Sequence, residues 1–344
     1  MLSLPIRPDL DQYRTQAKEL LASCAAGNPD ALARVANHRS RGGGPILSDA
    51  QLALAREHGF DSWPKLKRAI ELIPQLCDAL DPGDPVRISA ILAEIPQLAD
   101  CVPWPQYRPD TRAIEIVSSQ CVWHRPRKRE IAQVLIDAGA ACDIALAARA
   151  GLLEHVRMLL DNDPGLIEFC DAHGRTALYR AGCVYGQFQE GEAVVDLLLA
   201  RGAQPDIFVA ATFTMAEQVE ALLVENDGLA RSTDPEGMTA LHWAVRPRRS
   251  DNRARPTQVT KLLLEAGADV HAADPTQEDM LPLHHVGEWG AAHLEQADLL
   301  LDHGADINAK SKAGWTPLDY AIDRSRAEIA EHLKARGGKE SGAR

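Results

Sequence analysis

The sequence predicts an all-α chain, a solenoid of stacked helix-turn-helix units behind a short helical segment. Three observations lead there. Segments recur: Asp143-Ile-Ala-Leu-Ala-Ala returns as Asp206-Ile-Phe-Val-Ala-Ala, and Arg175-Thr-Ala-Leu as Met238-Thr-Ala-Leu. The shift is 63 residues (143 to 206, 178 to 241, 139 to 202), about twice the ~33 residues of a two-helix repeat. The second helix of each unit carries an i, i+3, i+4 apolar stripe: Val195, Leu198 and Leu199; Val259, Leu262 and Leu263; Ala297, Leu300 and Leu301. Finally, the punctuation repeats. Gly174, Gly237 and Gly314 stand before Thr176, Thr239 and Thr316, and Gly202, Gly267 and Gly304 stand after the stripes. Threonine caps a helix start and glycine supplies the left-handed residue that ends one. A single unit cannot bury its stripe, but stacked neighbours can.

Taken in order, residues 1–75 read as a helical module, 76–338 as the repeat array with long loops after its inner helices, and 339–344 as a tail. In the module, Tyr13, Ala17, Leu20 and Leu21 have helical spacing. Ser48 is placed to cap a helix running to Glu57, with Gly59 ending it, and Ser62 to cap another bearing Trp63, Leu66 and Ile70. Arg39 to Pro45 is loop by composition. The array is irregular near Arg112-Ala-Ile-Glu, which lacks the opening threonine.

The net charge of −12 argues against a general nucleic-acid binder, which needs a basic footprint. The start Met1-Leu-Ser-Leu-Pro-Ile has no signal-peptide run, and no window approaches the ~18 apolar residues of a membrane span. Seven cysteines without framework spacing fit reduced thiols, so a cytoplasmic chain is expected. No cofactor is implied. His284 and His285 are adjacent, neither Cys-x-x-Cys nor His-Glu-x-x-His occurs, and no metal site is expected. Gly42-Gly-Gly44 lacks the strand, lysine and helix of a phosphate loop.

The strings Met238-Thr-Ala-Leu-His, Leu281-Pro-Leu-His and Trp315-Thr-Pro-Leu-Asp resemble the ankyrin repeat over residues 78–336. Leu47 to Lys67, with its Gly59-Phe-Asp-Ser-Trp-Pro64 core, resembles a small helical module that precedes many bacterial ankyrin-repeat proteins. The resemblance implies partner binding across a concave face. It also makes His242 and His284 scaffold, each bonding within its own turn. Trp243 and His285, one residue further, and Tyr320 would then face the concave side as binding candidates.

Four insertions follow the inner helices, at 121–129, 183–191, 246–257 and 287–293. Loops carry function more often than scaffold helices do. They bring Trp123, His124, Tyr185, Arg246, Glu288 and Trp289 to successive helix ends, near Tyr179. Two insertions are basic, His124-Arg-Pro-Arg-Lys-Arg129 and Arg246 to Arg255, and arginine forks suit carboxylate or phosphate. The expected function is a binding adaptor for a protein partner. The alternative is a small, anionic ligand bound or turned over in a loop-closed pocket walled by Trp123, Tyr179, Tyr185, Arg246, His285 and Glu288. No side chains pair into an evident nucleophile and base, so the reading leans away from an enzyme.

Overall fold

A computed structural model describes residues 9–36, 38, 44–102, 111–118, 127–183, 189–246, 256–289 and 294–342. The fold is all-α. Among the described residues the extended pairing consists of three isolated bridges, Cys170 with Thr176, Thr233 with Thr239 and Asp274 with Met280. Each closes a short hairpin ahead of an inner helix. No helix of the described residues is long and apolar enough to cross a membrane. The chain divides into two compact units, residues 1–146 and 147–344.

The first unit opens with α1 (Leu10–Ala25), α2 (Pro29–Ala36), α3 (Leu47–Glu57) and α4 (Trp63–Leu80). Ala17, Leu20, Cys24, Val35, Ala50, Ala53 and Leu54 form one core, against which Trp63 packs partly buried. Ser62 caps α4 as its position predicts, accepting from Lys65 N–H. Ser48 does not cap α3. That helix already starts at Leu47, and Asp49 Oδ2 accepts the Ile46 N–H at 3.1 Å from inside the first turn, the reciprocal half of a capping box. Helix α4 runs unbroken through residues 75 and 76. Next come α5 (Pro85–Glu94), a 3-10 turn (Pro96–Asp100), α6 (Ala113–Ser118) and α7 (Lys128–Asp137). In place of the missing threonine, Glu115 accepts the Arg112 N–H at 3.0 Å at the start of α6.

From α8 on, the chain runs in helix pairs: α8 (Ile144–Arg149), which crosses the division at residue 146, with α9 (Leu153–Asn162), then, in the second unit, α10 (Ala177–Gly182) with α11 (Gln189–Ala200), and α12 (Ile207–Thr212) with α13 (Ala216–Glu225). They continue as α14 (Ala240–Ala244) with α15 (Pro256–Glu265), α16 (Pro282–Trp289) with α17 (Leu294–Asp302), and α18 (Pro317–Asp323) with α19 (Ala327–Ala335). The doubled period has a structural cause. A 3-10 turn follows α9 (Pro164–Glu168) and α13 (Asp227–Arg231), and these two helix pairs start from Asp143 and Asp206, whose carboxylates accept Leu146 N–H and Val209 N–H at 2.7 Å. The alternate pairs start from Thr176 and Thr239. Val195, Leu198, Val259, Leu263, Ala297 and Leu300 are fully buried, the inward side of the outer-helix stripes.

Candidate functional site

The second unit builds its polar interior from one recurring element. Asp171, Asp234, Asp274 and Ser311 stand at the bases of successive hairpins, where each backbone N–H bonds across the turn, to Arg175, Met238, Met280 and Trp315 carbonyls. Opposite each base sits the side chain four places after the residue that precedes the inner helix (Thr176, Thr239, Leu281 and Thr316): Arg180, Trp243, His285 and Tyr320. Trp243 Nε1 donates to Asp234 Oδ2 at 2.8 Å. Tyr320 OH lies 3.0 Å from Ser311 Oγ. His285 Nε2 lies 3.2 Å from Asp274 Oδ2, without the alignment of a hydrogen bond.

Around Asp234 the acceptors and donors balance. Tyr179 OH donates to Oδ2 at 2.8 Å, and the N–H groups of Glu236 and Met238 donate to Oδ1 at 2.8 and 2.9 Å. Burial, then the nearby charges of Cys183 and Asp234, raise the Tyr179 phenol far above its ordinary range, so it is a fixed donor. Around Asp274 the groups are ionic. The Arg246 guanidinium lies 3.5 Å from Oδ2 and 5.7 Å from the Trp243 ring centroid. Thr276 donates through N–H at 2.8 Å and Oγ1 at 2.6 Å. Burial alone would push the Asp274 carboxyl up, but His285 and Thr276 hold it well below the usual carboxylate range. His285 Nδ1 stands 3.9 Å from Glu288 Oε2, and Glu288 Oε1 accepts from Arg324 Nη2 at 3.0 Å, which carries the line of polar groups outward to solvent.

His242 and His284 lie beside this line as scaffold. Thr239 N–H donates to His242 Nδ1 at 3.2 Å, leaving Nε2 to donate to Ala272 O at 3.1 Å in the next hairpin. Leu281 N–H and Ala309 O hold His284 in the same way. Burial lowers His242 to about 3 and His284 to about 4.

This geometry corrects the expectation of an open aromatic face. Trp243, His285 and Tyr320 are 1%, 0% and 7% exposed, because each turns its polar atom inward to the hairpin base of its own repeat. Tyr179 and Arg246, expected as pocket walls, are buried in the same networks. Glu288 is partly exposed at their outer end, and Trp289 is 39% exposed beside it. Trp123, His124 and Tyr185 lie outside the described residues, as does most of each inserted loop. A depression of about 430 Å³ lies elsewhere, at the hairpin tips, lined by Pro275, Glu278, Asp279, Lys312 and Ala313. Among the described residues no group of three or more His, Cys, Asp or Glu side chains is arranged to hold a metal ion.

Sequence reasoning missed Asp234, Asp274 and Gln296. A signal existed for the first, since Asp171 and Asp234 each stand three residues before a hairpin glycine. None existed for Gln296, whose buried Nε2 donates to Thr260 Oγ1 at 2.7 Å and Ala244 O at 3.1 Å.

The repeat element matches known proteins. Residues 250–341 match the family model described as ankyrin repeats, three copies. That stretch carries ankyrin repeats. The chain is 34% identical over 100 residues to mouse ankyrin repeat domain-containing protein 13B, covering 28% of this chain and 14% of that protein. It is 32% identical over 151 residues to the mouse B-cell lymphoma 3 protein homolog, covering 42% of this chain and 31% of that one. The probable 26S proteasome regulatory subunit p28 of Saccharomyces cerevisiae is 28% identical over 199 residues, covering 54% of this chain and 80% of the yeast protein. The matched stretches thus span under a third of the two mouse relatives.

Proposed function

We propose that this chain is an adaptor that binds a protein partner at the inner-helix ends of its C-terminal ankyrin repeats, in a reducing cytoplasm. The observation that carries this reading is the contrast at one edge. Trp243, His285 and Tyr320 are buried, whereas Trp289 at the end of α16 keeps 39% of its surface exposed. Arg324 and Arg326 flank it, held by the Glu288 carboxylate at 3.0 Å and the Glu288 carbonyl at 3.2 Å. Tryptophan and arginine are the residues most enriched among binding hot spots. The inserted loops begin at these same helix ends and would extend the surface. A pocket walled by Tyr179, Arg246 and His285 has less support, because those side chains are packed against one another. The first helical module would serve as the polar-faced end that a repeat array needs for solubility.

The test is affinity capture followed by quantitative mass spectrometry, with the intact chain against Trp289→Ala. The expected result is a discrete set of proteins retained by the intact chain and reduced at least tenfold by the substitution, with the melting temperature unchanged. An identical retained set for the two proteins would overturn the reading.

A further inference from the structure

The ladder of hairpin bases and inner-helix side chains has one rung whose facing oxygen stands farther off. At Trp243, His285 and Tyr320 the facing oxygen lies within 3.2 Å. At the equivalent Arg180 it does not. Its Nε is 3.8 Å from Asp171 Oδ2, and this nitrogen is buried with no hydrogen-bond partner. Asp171 cannot come to its aid. Oδ2 already accepts Arg175 Nε at 2.9 Å, and Oδ1 accepts the N–H groups of His173 and Arg175 at 2.9 and 3.1 Å. The neighbouring carboxylate, Glu236, is bound to Arg175 Nη1 at 2.7 Å.

The Arg180 side chain is only 11% exposed, so water compensates little of this deficit. Arg149 and Arg175 add two further positive charges beside it. Burial first, and then those two charges, lower the Arg180 guanidinium to about 10, with Asp171 and Glu236 opposing. Arg180 thus sits among positive charge in an interior where an uncompensated charge is expensive. Buried polar groups in folded proteins find partners, and a missing one calls for an explanation.

We propose that Arg180, flanked by Arg149 and Arg175, is a binding site for a compact oxyanion, a carboxylate or phosphate group. The planar guanidinium fork matches two oxygens of such a group. The anion would supply the acceptor that Asp171 withholds from Arg180 Nε. This site involves other residues than the Trp289 edge, so either reading can fail without the other.

The test uses the full chain at pH 7.5. Its melting temperature is measured with added sodium phosphate, with a hexaglutamate peptide, and with sodium chloride at matched ionic strength. A ligand that binds only the folded state raises the melting temperature in proportion to its occupancy. The expected result is a rise of several degrees over chloride, lost in Arg180→Met and kept in Arg324→Met. A rise with phosphate assigns the site to a free anion. A rise with hexaglutamate alone assigns it to an acidic segment of a partner. Titration of the intact chain, followed through arginine Nε–H resonances, reads the site without any variant: the Arg180 signal should move with the anion while that of Arg324 stays. No rise with either anion, an equal rise in Arg180→Met, or an unmoved Arg180 signal would overturn the proposal.

Discussion

The buried histidines and aspartates make stability depend on pH through identifiable atoms. His242 and His284 each use one ring nitrogen as acceptor and the other as donor, an arrangement open only to the neutral ring. Burial lowers them to about 3 and about 4, against an ordinary 6.5. Below pH 6.5 the unfolded chain gains protons that the folded chain refuses. Their contribution is therefore complete above about 6.5 and is lost as the pH falls toward 4. At pH 5 each histidine would lose up to about 2 kcal/mol, at roughly 1.4 kcal/mol per unit. Asp274 and Asp319 are held below the ordinary carboxylate range, so their contribution is present above about pH 4 and is lost below it. Urea midpoints should hold from pH 7.5 to about 6.5 and fall from there to 4.5, and the fall between pH 6.5 and 5 should be shallower in His242→Gln. A flat profile across that range would contradict the assigned protonation states. Residues of this kind were only half legible beforehand. The Leu-His pattern marked His242 and His284 as scaffold, but nothing in the pattern said that the side chain after each would be buried too.

Between elements, α16 and α18 approach closely at Gly287. A Cβ built on Gly287 would stand 2.3 Å from the backbone oxygen of Pro317, which cannot swing aside as a side chain can. Gly182 meets a similar limit, but there the neighbour is the Phe213 ring at 2.7 Å. Gly287→Ala should therefore destabilise the C-terminal repeats by about 3 kcal/mol, in the range of strained, overpacked sites. Gly182→Ala should cost less, since a ring can rotate within its packing. Thermal unfolding followed by circular dichroism checks both, and a Gly287→Ala protein as stable as the parent would refute the close approach. The helices themselves were readable from their caps, their glycines and their apolar spacing. Those are local signals that depend on residues within one turn of each other. The approach of two inner helices depends on residues 30 apart, and a lone glycine inside Val286-Gly-Glu288 carries no sign of what it faces.

At the scale of the second unit, each helix pair is stabilised mainly by its neighbours, as a one-dimensional array requires. The pair α18 and α19 is held by a different set of bonds. His242 and His284 each donate to a carbonyl of the following repeat, but Asp319 stands at that register in α18. Asp319 Oδ2 instead accepts Thr316 N–H at 2.8 Å and Ser341 N–H at 3.0 Å, and Thr316 Oγ1 donates to Lys339 O at 2.9 Å. Lys339 and Ser341, in the stretch read as a tail, thus bond to α18 and its capping threonine where a following hairpin bonds to α14 and α16. Removing residues 338–344 should lower hydrogen-exchange protection in α18 and α19 by tenfold or more, while α3 in the first unit keeps its protection. Unchanged protection in α18 would show that the tail contacts do not contribute.

Seen across these scales, the sequence by itself determined the architecture: an all-α repeat array, its doubled period, its helix starts and stops, and the scaffold role of two histidines. Each of these follows from short-range rules of backbone geometry and from the need to bury a stripe. Tertiary structure decided which polar groups meet. Asp234 joins Tyr179 and Trp243 from different repeats, Arg246 reaches Asp274, and Arg180 is left short of an acceptor. Those pairings turn on distances of an ångström between side chains far apart in the chain. Periodicity states which residues share a register, but not which way each one turns.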